Sequence, residues 1–279
     1  MHKESTQRKL LWTLVAAAVG LVFILPAAWM FLGSFRPGNE VIEQVTPLGW
    51  QTIWPSNWTL TNFIEIFTVL GFGQGLFNSL VVCVFSVVFG ILVCTPAAYA
   101  FGVLKFPGRD ILFGIFVVSF LIPFEAIAIP LVSIFNSAGL SNTYLALILP
   151  GIGNGLAIFN MRQYFRGIPG SIREAAVLDG AKEWRILWQL YVPISVPALI
   201  NSSLLIFLAQ WGAYLWPLLV ATEPKMQVAA VALSKTFTPD NSNYGQNFAG
   251  ALLISLIPAL IMFSLQRFFS TSEANSGNK

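Results

Sequence analysis

The stretch SIREAAVLDGAKEWRILWQLYVP, residues 171–193, lies between two long apolar segments of a 279-residue chain. Hydrophobic residues make up 56% of the chain and charged residues 10%, whereas a soluble globular domain contains about 25% charged residues. So few charged side chains could not cover the core of a soluble protein of this length. The composition therefore predicts a membrane protein, in which residues 171–193 form a segment that lies in water.

The charged stretch has the pattern of two short helices joined by a sharp turn. Ser171 and Glu174 form the capping-box spacing that begins a helix, and Gly180 can adopt the positive backbone angle that ends one. A second amphipathic helix is predicted from about residue 182 to residue 191, where Pro193 interrupts it. Helices this short are marginal in water on their own, so we expect the pair to dock on a partner.

Segments without charge on either side of this stretch predict membrane-spanning helices, each of which needs about 20 apolar residues. One such segment is too long for a single helix, and the turn composition of residues 136–142 divides it. Cleavage of the first segment as a signal peptide stays open, although its apolar run exceeds a typical signal core. We predict an all-α, polytopic membrane protein with six transmembrane helices at residues 11–33, 75–101, 111–134, 143–161, 196–219 and 247–267.

The distribution of Lys and Arg predicts the orientation of these helices. Of the 15 Lys and Arg residues, three (Arg36, Lys225 and Lys235) lie on one side of the membrane and the other twelve on the side of the N-terminus. Cytoplasmic loops carry the excess of positive charge. Both termini and the charged stretch are therefore predicted to be cytoplasmic.

The sequence EAAVLDG, followed after nine residues by LYVP, resembles the EAA loop of binding-protein-dependent ABC importer permeases. That loop has the pattern Glu-Ala-Ala, three residues, Gly, nine residues, Ile-x-Leu-Pro, in which Leu190 and Val192 are conservative replacements here. The stretches FNSL (77–80), AAYAF (97–101), FPGR (106–109) and YLWPLL (214–219) are similar to the sugar-importer branch, the maltose-type second permease.

This resemblance implies a type I importer permease fold in which residues 1–279 form one transmembrane domain, with a core at 75–267 and a cytoplasmic coupling loop at 162–193. It implies that Glu174 contacts a partner ATPase, although Glu174 could instead only cap its helix. The full set of residues that the resemblance assigns to coupling is Glu174, Ala175, Ala176, Leu178, Asp179, Gly180 and Pro193.

The implied partners are a homologous second permease, two ABC ATPase subunits that bind ATP and Mg, an extracytoplasmic solute-binding protein, and the lipid of the bacterial cytoplasmic (inner) membrane. No glycine-rich phosphate loop with Lys-Ser/Thr occurs in the chain, so we predict that it is not an enzyme and holds no cofactor of its own. Its net charge of +3 and single His favour neither nucleic-acid binding nor a metal site.

Apart from Arg267 at the very end of the last span, Glu125 is the one acidic or basic residue inside a predicted span, and such a residue is costly unless it faces a cavity or a partner. A hydrogen bond between helices and a role in gating or substrate contact both stay open. Asn78 could likewise hydrogen-bond across helices or contact substrate.

The fifth predicted span carries Gln210, Trp211 and Tyr214, whose polar groups and aromatic faces suit a sugar. Trp211 and Tyr214 are three residues apart and would share a helix face, although aromatic residues near span ends are also common interface anchors. Trp216, nearer the outer end, is expected to be such an anchor.

The function predicted from these features is uptake of a sugar or sugar-like solute by alternating access, as a subunit of an ATP-driven importer. An ion-coupled secondary transporter is the alternative, and it would need ion-coupling groups near the membrane midplane and usually paired repeats. A membrane-embedded enzyme is disfavoured, because no cluster of His, Asp or Cys could form a catalytic centre. The sequence does not choose between sugars.

Overall fold

The computed structural model describes residues 6–38, 40–236 and 243–276. Within these ranges the chain contains helices, turns and loops but no strand, so the predicted all-α fold is confirmed. The chain divides into two compact units, the first bounded by Met1–Gly73 and Leu233–Ile257 and the second by Gln74–Ala232 and Pro258–Lys279.

The helices in chain order are α1 (Thr6–Ser34), α2 (Glu40–Glu43), α3 (Trp50–Ile53), α4 (Thr61–Thr68), α5 (Phe72–Gly102), α6 (Arg109–Phe120), α7 (Phe124–Ser137), α8 (Tyr144–Ile152), α9 (Gly155–Gly167), α10 (Gly170–Leu178), α11 (Glu183–Ile186), α12 (Val192–Ile194), α13 (Val196–Trp211), α14 (Leu215–Val220), α15 (Ala229–Ser234) and α16 (Tyr244–Ser276). A π-helical turn, Leu187–Tyr191, joins α11 to α12.

Four described helical stretches are long and apolar enough to cross a membrane, and two bent helix pairs raise the number to six if each pair is one span. The four stretches are Arg8–Ser34, Phe72–Gly102, Tyr144–Gly167 and Tyr244–Gln266. Their lengths match what a bilayer core of about 30 Å requires. The apolar side chains of α1 are almost all exposed, as expected of a helix whose surroundings are lipid.

The third predicted span, 111–134, is not one straight helix. It consists of α6 and α7, which meet at an angle of 90°. The chain changes direction at Pro123, whose backbone is extended with φ −57° and ψ 131°. Proline lacks an N–H and disfavours helical geometry in the residue before it, so α6 ends at Phe120 and α7 begins after the proline.

The fifth predicted span, 196–219, is also wrong as a continuous helix. Helix α13 ends at Trp211, and α14 begins only at Leu215. A helix through this region would press the ring of Pro217 against the carbonyl of Ala213, four residues earlier. Helix α13 is followed by Gly212, whose N–H still donates to the Leu208 carbonyl.

In the first unit, Asn62 of α4 fixes the end of α1. Its side-chain amide donates to the carbonyls of Ser34 (2.9 Å) and Arg36 (2.6 Å). A Cβ at Gly245 would stand 2.5 Å from the Asn62 amide nitrogen and 2.7 Å from the Arg36 carbonyl oxygen. The start of α16 therefore packs against this junction only because residue 245 is glycine.

The second unit has two buried apolar clusters. One joins α5 and α9 to the charged stretch through Tyr99, Phe165, Ala176 and Tyr191. The other surrounds Trp216 with residues of α7, α8 and α14. The first cluster positions the predicted coupling loop, and the second forms one wall of a cavity.

Candidate functional site: a clamped loop and a cavity

The charged stretch folds as the predicted helix, turn and helix. Helix α10 ends at Leu178, and Gly180 adopts the left-handed conformation with φ +77°. The predicted capping box is wrong: α10 begins at Gly170 after an extended Pro169, and no side chain caps it. Ser171 already lies inside the helix, so its hydroxyl cannot cap the helix from the preceding position.

The second helix of the stretch continues further than predicted. It runs from Glu183 through the π-helical turn to Ile194, and it passes through Pro193 instead of stopping before it. The wider π turn directly before Pro193 gives the proline ring room that a regular α-helix would not. The chain then bends by 88° into α13, at the buried Ser195.

Most residues that the EAA resemblance assigns to coupling lie on an outward face of this loop. Leu178 is 88% exposed, an unusually large value for an apolar side chain, while Ala176 on the inner face is buried. The outward set comprises Glu174, Ala175, Leu178, Asp179, Gly180 and Pro193. Val177 and Trp184 are also exposed, at 45% and 65%, so apolar side chains lie on the outside of the loop.

The inner face of the loop is held to α5 by a network of three side chains. Glu183 accepts hydrogen bonds from the Tyr99 hydroxyl (2.6 Å) and from Arg173 Nε (3.2 Å), and its second oxygen pairs with Arg173 Nη2. The Glu183 carboxylate raises the pKa of Arg173, so the guanidinium stays protonated. We call Tyr99, Arg173 and Glu183 the loop clamp.

Sequence reasoning missed the loop clamp as a unit. Tyr99 lies in the AAYAF motif, and Arg173 is one of the twelve Lys and Arg residues predicted to be cytoplasmic. Nothing in the sequence pairs Tyr99 with a residue 84 positions later. The contact arises because Tyr99 packs edge-on against Tyr191 and Phe165, with ring centroids 5.0 and 6.3 Å apart.

The second unit also contains a cavity of about 580 Å³. Three interruptions of helices meet there: the start of α7 at Phe124 and Glu125, the break between α8 and α9 around Asn154, and the break between α13 and α14 around Ala213. Backbone without helical hydrogen bonds is tolerated at membrane depth where it lines a cavity or is buried in protein. The cavity therefore accounts for the helix breaks, because the backbone groups freed at each break lie at its surface.

Glu125 lines this cavity in the first turn of α7. Its side chain is exposed and makes no hydrogen bond or ion pair with the residues that the structure describes. The interhelical hydrogen bond considered from the sequence is thus not formed within the described part of this chain. The N-terminus of α7 stabilises a negative charge at this position.

Two of the three predicted fifth-span residues line the cavity. Tyr214 and Gln210 contribute to its wall, and Gln210 Nε2 donates to Ser86 Oγ (2.8 Å) and to the Leu147 carbonyl (3.3 Å). Trp211 is buried and stacks on Phe207, with centroids 5.6 Å apart. Since α13 ends at Trp211, Trp211 and Tyr214 do not share a helix face.

The expectation that Trp216 anchors the membrane interface is wrong. Trp216 is buried, and its Nε1 donates to the Ala146 carbonyl at 2.8 Å. Its ring packs edge-on against Phe124 and Phe135, with centroids 5.7 and 5.2 Å away. The break at residues 212–214 turns α14 inward, so Trp216 supports the cavity wall.

Asn78 is buried and makes the cross-helix contacts that the sequence suggested. Its Nδ2 donates to the carbonyls of Lys225 (2.9 Å) and Gln227 (2.8 Å). Its Oδ1 accepts from Tyr144 (2.7 Å) and Gln74 (2.9 Å). All four hydrogen-bonding positions of the amide are filled by protein, and Asn78 does not line the cavity.

Comparison with known proteins gives concordant results. A family model described as "Binding-protein-dependent transport system inner membrane component" matches residues 94–273. The chain is 34% identical, over 96% of both chains, to the arabinooligosaccharides transport system permease protein AraQ of Halalkalibacterium halodurans. It is 27% identical to the lactose transport system permease protein LacG of Rhizobium radiobacter, over 91% of both chains.

A solved structure shares the fold. It is a chain from the crystal structure of a bacterial ABC transporter involved in the import of the acidic polysaccharide alginate. The TM-score is 0.79 at 24% sequence identity, over 96% of this chain and 99% of that one. A match over the family model and over nearly the full length of relatives decides the membership: this chain belongs to the family of binding-protein-dependent transport system inner membrane components, the permease subunits of ABC importers.

Proposed function

We propose that this chain is the second permease subunit of an importer that carries a saccharide or saccharide-like solute across the inner membrane by alternating access. A homologous permease, two ATPase subunits that bind and hydrolyse ATP with Mg²⁺, and an extracytoplasmic binding protein complete the complex. Both termini and the coupling loop face the cytoplasm. The names of the relatives, which refer to arabinooligosaccharides and lactose, support the substrate class.

The observation that carries the proposal is the two-sided coupling loop. Leu178 and Trp184 are exposed on one side, as a docking surface for an ATPase requires. On the other side Glu183 is bonded to Tyr99 of α5. A partner that moves this loop therefore moves α5, and α5 contributes Ser79 and Val82 to the cavity wall.

Gly180 provides a direct test, because its φ of +77° strains any β-branched residue while no atom lies within 4 Å of an added Cβ. We expect Gly180→Val to abolish uptake and to reduce the ATPase retained on purification, since the turn between α10 and α11 is disturbed at a cost of about 1–3 kcal/mol. Gly180→Asn tolerates the left-handed conformation and should retain both properties.

Gly139 supplies a matched control outside the loop. It also has a positive φ, +67°, and open space around an added Cβ, so Gly139→Val introduces the same kind of strain in the turn after α7. We expect Gly139→Val to keep the ATPase bound. Equal ATPase loss in Gly139→Val and Gly180→Val, or normal uptake by Gly180→Val, would contradict the coupling role of the loop.

A further inference from the structure

As far as the structure describes it, the lining of the cavity in the second unit contains a negatively charged side chain but no positively charged one. Among the described residues that line it, Glu125 is the one charged side chain, and no Lys or Arg contributes to the wall. The other polar groups of the lining include the Tyr214 hydroxyl, the Gln210 amide and the Ser79 hydroxyl. The cavity therefore has a single fixed negative charge with neutral polar groups around it.

Several polar residues that line the cavity with Glu125 already form hydrogen bonds to other protein groups. The Gln210 amide nitrogen donates to Ser86 and Leu147, Asn154 accepts from the Ala157 backbone at 2.9 Å, and the Ser79 hydroxyl accepts from the Ala229 backbone at 2.9 Å. Glu125 has no such bond to the described residues. The Glu125 side chain is exposed, so both carboxylate oxygens are available to hydrogen-bond donors that a solute brings into the cavity.

We propose that Glu125 makes this cavity a charge-selective subsite, at which a solute without negative charge donates hydroxyl or ammonium hydrogen bonds to the carboxylate. The ligand class is a neutral polyhydroxylated solute or a cationic amino sugar. This inference rests on the proposed function, since it gives the solute in the pathway its chemical class.

The chemistry of a carboxylate separates ligand classes sharply. Both of its oxygens accept hydrogen bonds, and bonds to an ionised acceptor are about twice as strong as neutral ones. Neighbouring hydroxyl groups of a sugar can engage the two oxygens together. An anionic solute offers no compensating cation in the described lining and is repelled by Glu125.

The electrostatic part of the proposal can be tested with charged thiol reagents of equal size, whatever the natural solute is. Ala213 lines the cavity, and the native Cys83 and Cys94 are buried, so Ala213→Cys provides one accessible thiol. In the assembled complex we compare its modification by a methanethiosulfonate that carries a trimethylammonium group with modification by one that carries a sulfonate. Because the attacking thiolate itself favours a cationic reagent, the preference is taken as the ratio of the two rate constants divided by the same ratio for a free thiol in solution. We expect this preference to favour the cation by about fivefold and to disappear when Glu125→Gln is added.

Ala138→Cys is the matched control, since Ala138 is exposed at the end of α7 but does not line the cavity. Its preference between the two reagents should be the same with Glu125 and with Gln. A cation preference at residue 213 that persists in Glu125→Gln, or no preference with Glu125 present, overturns the proposal. The latter is also the result if a cation of the partner permease neutralises Glu125.

Uptake distinguishes this inference from the proposed function. Uptake of a radiolabelled neutral oligosaccharide by the wild-type complex, with a flat reagent preference at residue 213, refutes the charge-selective subsite and leaves the importer in place. A Glu125-dependent preference in a complex that transports no saccharide supports the subsite and refutes the proposed substrate class. With both present, Glu125→Gln should lower saccharide uptake about tenfold through the loss of a charge-assisted hydrogen bond.

Discussion

Glu183 and Glu125 are two glutamates of one unit in opposite circumstances. Glu183 is engaged on both oxygens by Tyr99 and Arg173, whereas Glu125 lines a cavity and has no bonding partner among the described residues. A paired carboxylate fixes the distance between two parts of the chain, whereas an unpaired carboxylate can accept hydrogen bonds from a bound solute. This difference is what the proposed function requires of a loop that transmits force and a cavity that receives a solute.

The first prediction compares a buried residue that supports the cavity, Trp216, with an exposed residue of its lining, Tyr214. Trp216→Ala should lower the stability of the second unit by about 3–5 kcal/mol, because a buried ring and its hydrogen bond to Ala146 are removed. The expected result is a large loss of purified complex, measured by yield and thermal unfolding. Tyr214→Ala, at an exposed residue of the lining, should preserve the yield and reduce uptake; a loss of yield in this variant as severe as in Trp216→Ala would remove the distinction.

The next largest effect is expected at the loop clamp. Glu183→Leu leaves Arg173 and the Tyr99 hydroxyl without their acceptor, at a cost of about 2–3 kcal/mol for hydrogen bonds to a charged group. We expect uptake per assembled complex to be lost while the membrane helices still insert. Uptake near the wild-type level would show that the clamp does not attach the loop to α5.

Tyr99→Phe removes only one hydrogen bond and keeps the ring that packs on Tyr191. Its expected cost is about 1 kcal/mol, and it should reduce uptake severalfold at most. In a double-mutant cycle with Glu183→Gln, the two effects should be non-additive because the residues share one bond. Additive effects would place Tyr99 outside the network.

Glu125→Gln should have the smallest effect on the fold. Because Glu125 has no partner among the described residues, the unfolding temperature and yield of the complex should match wild type. A clear destabilisation would mean that Glu125 is held by the partner permease, and it would turn this carboxylate into a second structural anchor.

The sequence was sufficient for the helical class, the approximate spans and the coupling turn, because apolar length and the αL glycine are local properties. Gly180 illustrates this, since a glycine after a short helix-forming run predicted both the turn and its positive backbone angle. A kink at Pro123 follows from the proline itself, although its angle of 90° does not. The break at residues 212–214 was missed, although Pro217 lies just beyond it. A count of apolar residues does not register a proline, which fits the apolar composition but breaks the helix through its missing N–H and its ring.

Contacts between distant segments could not be predicted from one sequence. Tyr99 and Glu183 meet because α5 and α11 pack on the same buried cluster, and no local pattern encodes that packing. The inward turn of Trp216 depends in the same way on a break three residues earlier. Side-chain roles at the cavity follow from tertiary packing, which overrides the general preference of Trp for the membrane interface.

If the loop clamp transmits ATP-driven motion to the permease, the amount of solute transported per ATP hydrolysed depends on the clamp. In proteoliposomes of the whole complex, solute transported per ATP hydrolysed is measured for Glu183→Gln and for Lys182→Gln, a charge-removing change at the adjacent exposed residue. We predict that the ratio falls at least fivefold in Glu183→Gln while hydrolysis continues, and that Lys182→Gln keeps the wild-type ratio. An unchanged ratio in Glu183→Gln, with the mutant complex fully assembled, would contradict it.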